Sequence, residues 1–499
     1  MNHIKQLYKH SLSLLTDLYQ LTMAYGYWKT NKINQEAVFT LFFRKSPFHC
    51  GYAIAAGLDT VLEYIDDLHF ADTDLAYLAT LTGADNKPLF EPAFLDYLRD
   101  LRFECDIDAM PEGTVVFPHE PLLRVQGPLL QCQILETPLL NIINFQTLIA
   151  TKAARICQTT QGDPVLEFGL RRAQGIDGAL AASRAAYIGG CVGTSNVLAG
   201  KLYGIPVKGT HAHSWVMSFA NETEAFQAYA QTMPNNCIFL VDTYDTLKGT
   251  KNAIEMGKWL RDNGHELLGI RLDSGDLATL SQQARQMLDE AGFEQTHIVA
   301  SNDLDEHLIA NLKAAGAKIS LWGIGTKLIT SYDQAALGGV YKLSAIRSPG
   351  EPWQYRLKLS EEAVKISNPG LLQVRRFSDE HGQFSQDMIY NQEHKLAEPP
   401  NMVNITAFSV HPELAEGHTL LPPDTPYQDL LIPVLRFGQP VEKSSSLLQI
   451  RERVQTQLAS CPEGIKRLKT PDIYQVNLEI NLYNLKQKLV NDIRKSINN

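Results

Sequence analysis

The sequence has no Cys-x-x-Cys pair: its seven cysteines, at 50, 105, 132, 157, 191, 237 and 461, stand far apart. That excludes a zinc ribbon and a thioredoxin-like redox motif, and scattered cysteines in apolar contexts are expected to be reduced core residues of a cytoplasmic protein. No apolar run comes near the roughly 20 residues that a membrane-spanning helix needs. The opening residues, MNHIKQLYKHSLSLL, lack a continuous apolar segment followed by a small-residue cleavage site, so neither membrane insertion nor export is expected. An excess of positive charge is missing as well. Lys and Arg number 45 against 55 Asp and Glu, a net charge of −10, which argues against a nucleic-acid partner. There is no Gly-x-x-x-x-Gly-Lys-[Ser/Thr] phosphate loop and no low-complexity segment. An anionic ligand would therefore need a site that is locally basic.

What is present is a chain of 499 residues, 44% of them hydrophobic, enough for two or three domains with separate cores. Residues 14–25 read as a capped helix, with Thr16 or Asp17 supplying the cap and apolar residues at 14, 18, 21 and 25 forming the packed stripe. Tyr19 falls one position off that stripe. A β-rich run, AVFTLFFRKSPF (37–48), ends in Arg44 and Lys45. The remainder up to residue 146 alternates helical and β segments as a mixed domain does.

From about residue 163 the pattern changes to apolar strand, polar turn, amphipathic helix, repeated six or seven times. His213, Asp242 and Asp273 are spaced 29 and 31 residues apart, about the length of one parallel βα unit. Gly264, Gly292 and Gly316 each close a helix as a left-handed C-terminal glycine would. An irregular (β/α) barrel is expected, with a doubly wound open sheet as the alternative. In a barrel, reactive groups gather at the C-terminal strand ends. There the sequence places Glu167, Phe168, Arg171 and Arg172; Thr210, His211 and His213; Asp242 and Asp245; Arg271, Asp273 and Asp276; Asn302 and Asp303; and Gly323, Gly325, Thr326 and Lys327. Asp276 and Asp303 are the best candidates for helix caps. The Leu321–Lys327 loop, with two glycines and opening a helix, suits a phosphate, and Gly193-Thr194-Ser195 has the same character.

The pair His211-x-His213 raises a zinc reading. The later histidines do not support it: His265 and His297 precede their strands and His307 lies within a helix. His213 is left as a nucleophile or acid–base group among anion sites and carboxylates, which suits phosphoryl or phosphoribosyl transfer. Asp242 and Asp273 are hard oxygen ligands that suit Mg²⁺ beside a diphosphate. After about residue 340 the βα rhythm stops; strands and turns follow, and the last fifty-odd residues read as amphipathic helices.

Eight stretches carry a resemblance: TDLYQLTMA (16–24), FFRKSPF (42–48), EFGLRRAQG (167–175), GTSNVLAGKLYGIPVKGTHAHS (193–214), LVDTYDTLKGTKNAI (240–254), IRLDSGDL (270–277), WGIGTKL (322–328) and LKLSEEAVKISNPG (357–370). In this order the chain resembles the nicotinate phosphoribosyltransferases, type II phosphoribosyltransferases. The resemblance implies an α/β fold: an N-terminal α/β domain (1–150, completed by parts of 345–440), an irregular barrel (151–344), and β segments followed by a helical C-terminal extension (345–499). It implies a homodimer with a shared active site, acting on nicotinate, phosphoribosyl pyrophosphate and ATP with Mg²⁺. It also implies residue roles. His213 would be the histidine phosphorylated by ATP, and Tyr19, from the neighbouring subunit, and Phe168 would sandwich the pyridine ring. Thr210 and Arg271 would contact the nicotinate carboxylate or phosphate, with Arg44 a further substrate-binding cation. Arg171, Asp242 and Asp273 would act around the phosphoribosyl group and His213, and Gly323, Gly325 and Thr326 would bind phosphate. The related nicotinamide-using enzymes place an Asp where Ser195 stands, so Ser195 favours the acid over the amide.

Overall fold

The computed structural model describes residues 8, 10–362, 365–396, 400–404, 418–441 and 444–498. The chain divides into two compact units, one of residues 1–148 with 336–499 and the other of residues 149–335. Among the described residues no helix is long and apolar enough to cross a membrane.

The first unit is built from distant parts of the sequence. Strand Glu36–Phe43, nearly all buried, lies between Leu123–Pro128 and Gly339–Arg347, antiparallel to both, within a seven-stranded sheet. Helix Leu18–Lys29 buries Leu21 and Ala24 in a core with Phe70, Phe90, Phe94 and Ile134. Of its expected stripe, Leu21 is buried and Leu14 and Tyr25 pack against that core, whereas Leu18 is exposed and Gln20 is buried instead. Asp17 stands at the N-cap without capping; its carboxylate instead accepts a hydrogen bond from the Thr137 hydroxyl at 2.8 Å.

A second sheet of six strands includes Leu372–Ser378, Phe384–Asn391 and Val476–Glu479. The helical C-terminal extension expected from the sequence is thereby corrected. Helices Leu447–Ser460 and Ile480–Asn498 are present, but the fully buried strand Val476–Glu479 between them pairs parallel to Phe384–Asn391. That sheet closes over Arg376, whose guanidinium grips the Asp387 carboxylate at 2.7–3.1 Å and lies 4.4 Å from the Phe384 ring centroid.

The second unit carries the βα rhythm. Its strands are β1 (Val165–Glu167), β2 (Gly193–Thr194), β3 (Ile238–Leu240), β4 (Gly269–Leu272), β5 (His297–Ala300) and β6 (Leu321–Ile324). Its helices are α1 (Ile176–Ile188), α2 (Val197–Tyr203), α3 (His213–Met217), α4 (Glu222–Thr232), α5 (Thr246–Asp262), α6 (Leu277–Glu290), α7 (Glu306–Ala314) and α8 (Thr326–Ile329). Phe239, Leu240, Ile270, Leu272, Ile298, Ala300, Trp322 and Ile324 are fully buried, as strands covered on both faces require.

The sheet is wholly parallel, in the order β2-β1-β6-β5-β4-β3. The first strand pairs with the last, which is not the order of a doubly wound sheet. The expected barrel is not established either, since β2 and β3 do not pair. Beyond β2 there is only a single parallel bridge, Thr194 with Val207, and at the free edge of β3 the Leu240 N–H donates to His211 Nε2 at 3.2 Å instead of to a strand.

Side-chain caps fix where the helices start. Asn196, Asn221, Asp245, Asp276 and Asp305 each accept backbone N–H bonds. The cap expected of Asp303 falls to Asp305, and Asp303 adopts a positive φ of 31°. Gly264, Gly292 and Gly316 follow their helices at φ 76–79°.

Candidate active site

Because the six strands are parallel and in register, their C-terminal ends lie together. The residues just beyond them are Phe168, Ser195, Asp273, Ser301 and Gly325, with Asp242 two residues past the end of β3. A cavity of about 470 Å³ opens there. Fourteen of the residues singled out in the sequence line it: Phe168, Arg171, Arg172, Ser195, Thr210, His211, His213, Arg271, Asp273, Asn302, Asp303, Gly323, Gly325 and Thr326. Asp242 stands behind this wall. Tyr19 and Arg44 belong to the first unit, Tyr19 exposed on its helix and Arg44 half-buried with an Nε that has no hydrogen-bond partner.

One wall is a platform. The Phe168 ring lies so close to Gly323 that a Cβ there would come within 2.6 Å of it, so only a residue without a side chain leaves the ring its place against the strand. Ser195 faces it from the turn after β2. Asn196 caps the helix that follows, accepting from the Ala199 N–H at 3.2 Å, and leaves the Ser195 hydroxyl to the cavity.

Arg271, in the middle of β4, donates to the Thr210 hydroxyl, and its buried Nε–H has no partner. Burial pulls its guanidinium below the ordinary value; Asp273 and Asp242 counter that, and Arg171 adds to it. Arg171 and Arg172, on an exposed turn, form no ion pair among the described residues. Lys327, by contrast, is held by Asp305 at 2.6 Å, and the α8 helix that follows the glycine loop is only four residues long. Among the described residues that line the cavity, the cations free to meet an anion are thus Arg171, Arg172 and Arg271.

His213 begins α3 and is half-exposed. Its Nε2 lies 3.7 Å from Asp273 Oδ2 and its Nδ1 lies 3.2 Å from the Thr243 hydroxyl. Asp273 is itself fixed: Ser301 donates to its Oδ1 at 2.6 Å, while its own N–H donates to Asp242 Oδ2 at 2.8 Å. Asp242 Oδ2 also accepts from the Ser274 hydroxyl at 2.7 Å, and its buried Oδ1 has no partner. Ser301 and Thr243 escaped the reading of the sequence. Both were findable, since Ser301 follows β5 as Asp273 follows β4, and Thr243 is the residue after Asp242.

His211 is buried among Phe226, Tyr229 and Phe239, with its ring 4.9 Å from that of Tyr229. Because Nε2 accepts from Leu240, the proton sits on Nδ1, where the Ala212 carbonyl lies at 3.4 Å. Burial pushes its pKa down to about 4, with Arg271 and His213 reinforcing the shift. Of the two histidines, His211 anchors the loop and His213 is presented to the cavity. His265, His297 and His307 stand before β4, at the start of β5 and within α7.

Family models place this geometry. The nicotinate phosphoribosyltransferase family model matches residues 164–353, the unit that holds the cavity; the family's N-terminal domain model matches 14–144 and its C-terminal domain model 372–486. The chain belongs to the nicotinate phosphoribosyltransferase family. It is an enzyme of that family, a transferase. A nicotinate phosphoribosyltransferase of Bacillus subtilis is 43% identical over 491 residues, covering 98% of this chain and 97% of the relative. The crystal structure of human nicotinic acid phosphoribosyltransferase matches at TM-score 0.82 and 34% identity, covering 95% of this chain and 99% of that one. A nicotinate-nucleotide pyrophosphorylase from Pyrococcus furiosus shares the fold at TM-score 0.65 and 21% identity, covering 90% of this chain and 96% of that one. Nicotinate phosphoribosyltransferase family membership thus spans both units.

Proposed function

We propose that the enzyme transfers phosphoribosyl from phosphoribosyl pyrophosphate to nicotinate in NAD salvage, giving nicotinate mononucleotide and pyrophosphate, and that ATP drives the cycle by phosphorylating His213. The observation that carries this is one cavity holding an aromatic platform, a buried unpartnered guanidinium and a half-exposed histidine beside a carboxylate. A pyridine ring stacks on Phe168, and Arg271 with Thr210 and Ser195 meets its carboxylate. Ser195 carries no charge to repel that acid.

The ring nitrogen forms a bond to the ribose anomeric carbon as the bond from that carbon to the pyrophosphate oxygen breaks. The electron pair leaves with pyrophosphate. The protein contributes position and charge: Arg171 and Arg172 face the leaving diphosphate, Gly323, Gly325 and Thr326 face phosphate oxygens, and Asp273 faces the cationic sugar.

In the coupled half-reaction the His213 imidazole attacks the γ-phosphorus of ATP and ADP leaves; water later takes the phosphoryl group. Asp273, beside Nε2, fixes the tautomer and leaves Nδ1, next to the Thr243 hydroxyl, as the nitrogen that attacks. Mg²⁺ bound to a diphosphate would neutralise its charge. Asp242 Oδ1, buried and unpartnered, is the protein oxygen suited to it, and among the described residues no cluster of three or more His, Cys, Asp or Glu could hold the ion unaided.

A second copy of the chain completes this reading. Leu170, Ile176, Val197 and Met217, on elements leaving the strand ends, are exposed, as are Leu15, Leu18, Tyr19 and Met23 on the first unit. Apolar surfaces of this kind mark an interface, and Tyr19 of a second copy would cover the other face of the pyridine. The deciding experiment is product formation from labelled nicotinate with and without ATP, in competition with nicotinamide. The expected result is a nicotinate-specific product whose yield rises with ATP; preference for the amide would overturn the substrate, and indifference to ATP the coupling.

A further inference from the structure

Glu167 takes no part in the reaction just described, yet it lies fully buried at the end of β1, directly before the platform residue. Its carboxylate has no ion pair among the described residues. Instead Oε1 accepts the Gly169 N–H, and Oε2 accepts the hydroxyls of Thr194 at 2.6 Å and Ser183 at 2.9 Å. Asn196 closes the ring of bonds: its N–H donates to Thr194 Oγ1 at 2.9 Å and its amide to Ser183 Oγ at 3.2 Å. The Glu167 carbonyl accepts the Ser195 N–H at 2.9 Å, and the Phe168 N–H donates to the Ile324 carbonyl at 2.7 Å.

Phe168 is thus gripped on both sides, by Glu167 and Gly169, and Ser195 is gripped by Thr194 and Asn196. One carboxylate joins the two grips. We infer that Glu167 is a positioning residue for specificity: it sets the separation of the Phe168 ring and the Ser195 hydroxyl, and hence which flat aromatic acid fits between them. The inference rests on the proposed pyridine site. A carboxylate suits the task because it accepts from every donor around it, whereas a glutamine would turn an NH₂ toward one of them.

The test uses the full-length enzyme. Thr194→Val keeps the shape and removes the hydroxyl, Thr194→Ser restores it, and Glu167→Gln alters the carboxylate itself. Expected are a rise of about tenfold in the nicotinate KM for Thr194→Val and Glu167→Gln, as loss of a hydrogen bond to a charged group predicts. Thr194→Ser should return to near the parent value, and γ-phosphate labelling of His213 from ATP should be unchanged in all three. An unaltered KM in Thr194→Val, or labelling that falls in step with KM, overturns the inference. Phe168→Ala runs alongside. If it raises KM while Thr194→Val does not, only the Glu167 inference fails; if Phe168→Ala leaves KM unmoved, the pyridine site itself is wrong.

Discussion

The site has two unlike corners, one behind the cavity wall and one opening into the cavity. Around Glu167 every oxygen is buried and taken, by Gly169, Thr194 and Ser183. Around His213 the imidazole is half-exposed, Arg271 Nε and Asp242 Oδ1 lack partners, and the nearest carboxylate oxygen stands off at 3.7 Å. Satisfied groups hold a shape, while unsatisfied ones keep hydrogen-bonding capacity for a ligand. The contrast recurs within one turn of chain, where His211 is locked neutral among aromatics and His213 faces the cavity.

The largest effect should come from breaking the open corner at its centre. His213→Ala is expected to abolish γ-phosphate incorporation and to lower ATP-coupled turnover by about 10²-fold or more; full labelling of that variant would remove His213 as the nucleophile.

Acid should reach His211 next. Its folded pKa of about 4 lies below the ordinary 6.5, so between those values the unfolded chain binds a proton that the folded chain refuses. Its contribution is whole above pH 6.5 and is lost as pH falls toward 4, about 2 kcal/mol of it between pH 7 and pH 5. Urea midpoints at the two pH values should therefore converge in His211→Gln relative to the parent.

Gly323→Ala pushes a methyl into the Phe168 ring and should destabilise by about 1–3 kcal/mol while raising the nicotinate KM. Differential scanning calorimetry and steady-state kinetics read the two effects.

Tyr19→Ala tests the surface of the first unit: stacking worth about 1 kcal/mol gives a several-fold rise in KM with an unchanged melting temperature, because the side chain is exposed. A drop in melting temperature would assign Tyr19 to packing.

The smallest effect is Ser301→Ala, which frees Asp273 Oδ1 and should slow labelling of His213 by about fivefold, the value of one hydrogen bond. A rate unchanged by Ser301→Ala would leave Asp273 held by Asp242 alone.

Local physics made the second unit readable. Short Val-, Ile- and Leu-rich strands, Asp and Asn caps, and glycines such as Gly264 and Gly292 act within a few residues of chain, and the strand-end rule found most of the cavity wall. What the sequence hid depends on distance. The pairing of Glu36–Phe43 with Gly339–Arg347 spans some three hundred residues and leaves no local periodicity. Strand Val476–Glu479 is four residues between two helices, so its place inside a sheet is visible only once Phe384–Asn391 lies beside it. His211 and His213 look alike in the chain, and only the free edge of β3 and the aromatic cluster tell them apart. Asp303 and Asp305 are both plausible caps, and backbone geometry chose the second.

The contact between Phe168 and Gly323 also bears on how this site can change with descent. A side chain at 323 is admissible only after the ring at 168 has shrunk or turned, and a smaller residue at 168 leaves a hollow that a residue at 323 would fill. The two positions, 155 residues apart, form a single unit of variation. Relatives that recognise a different ring should differ at both or at neither.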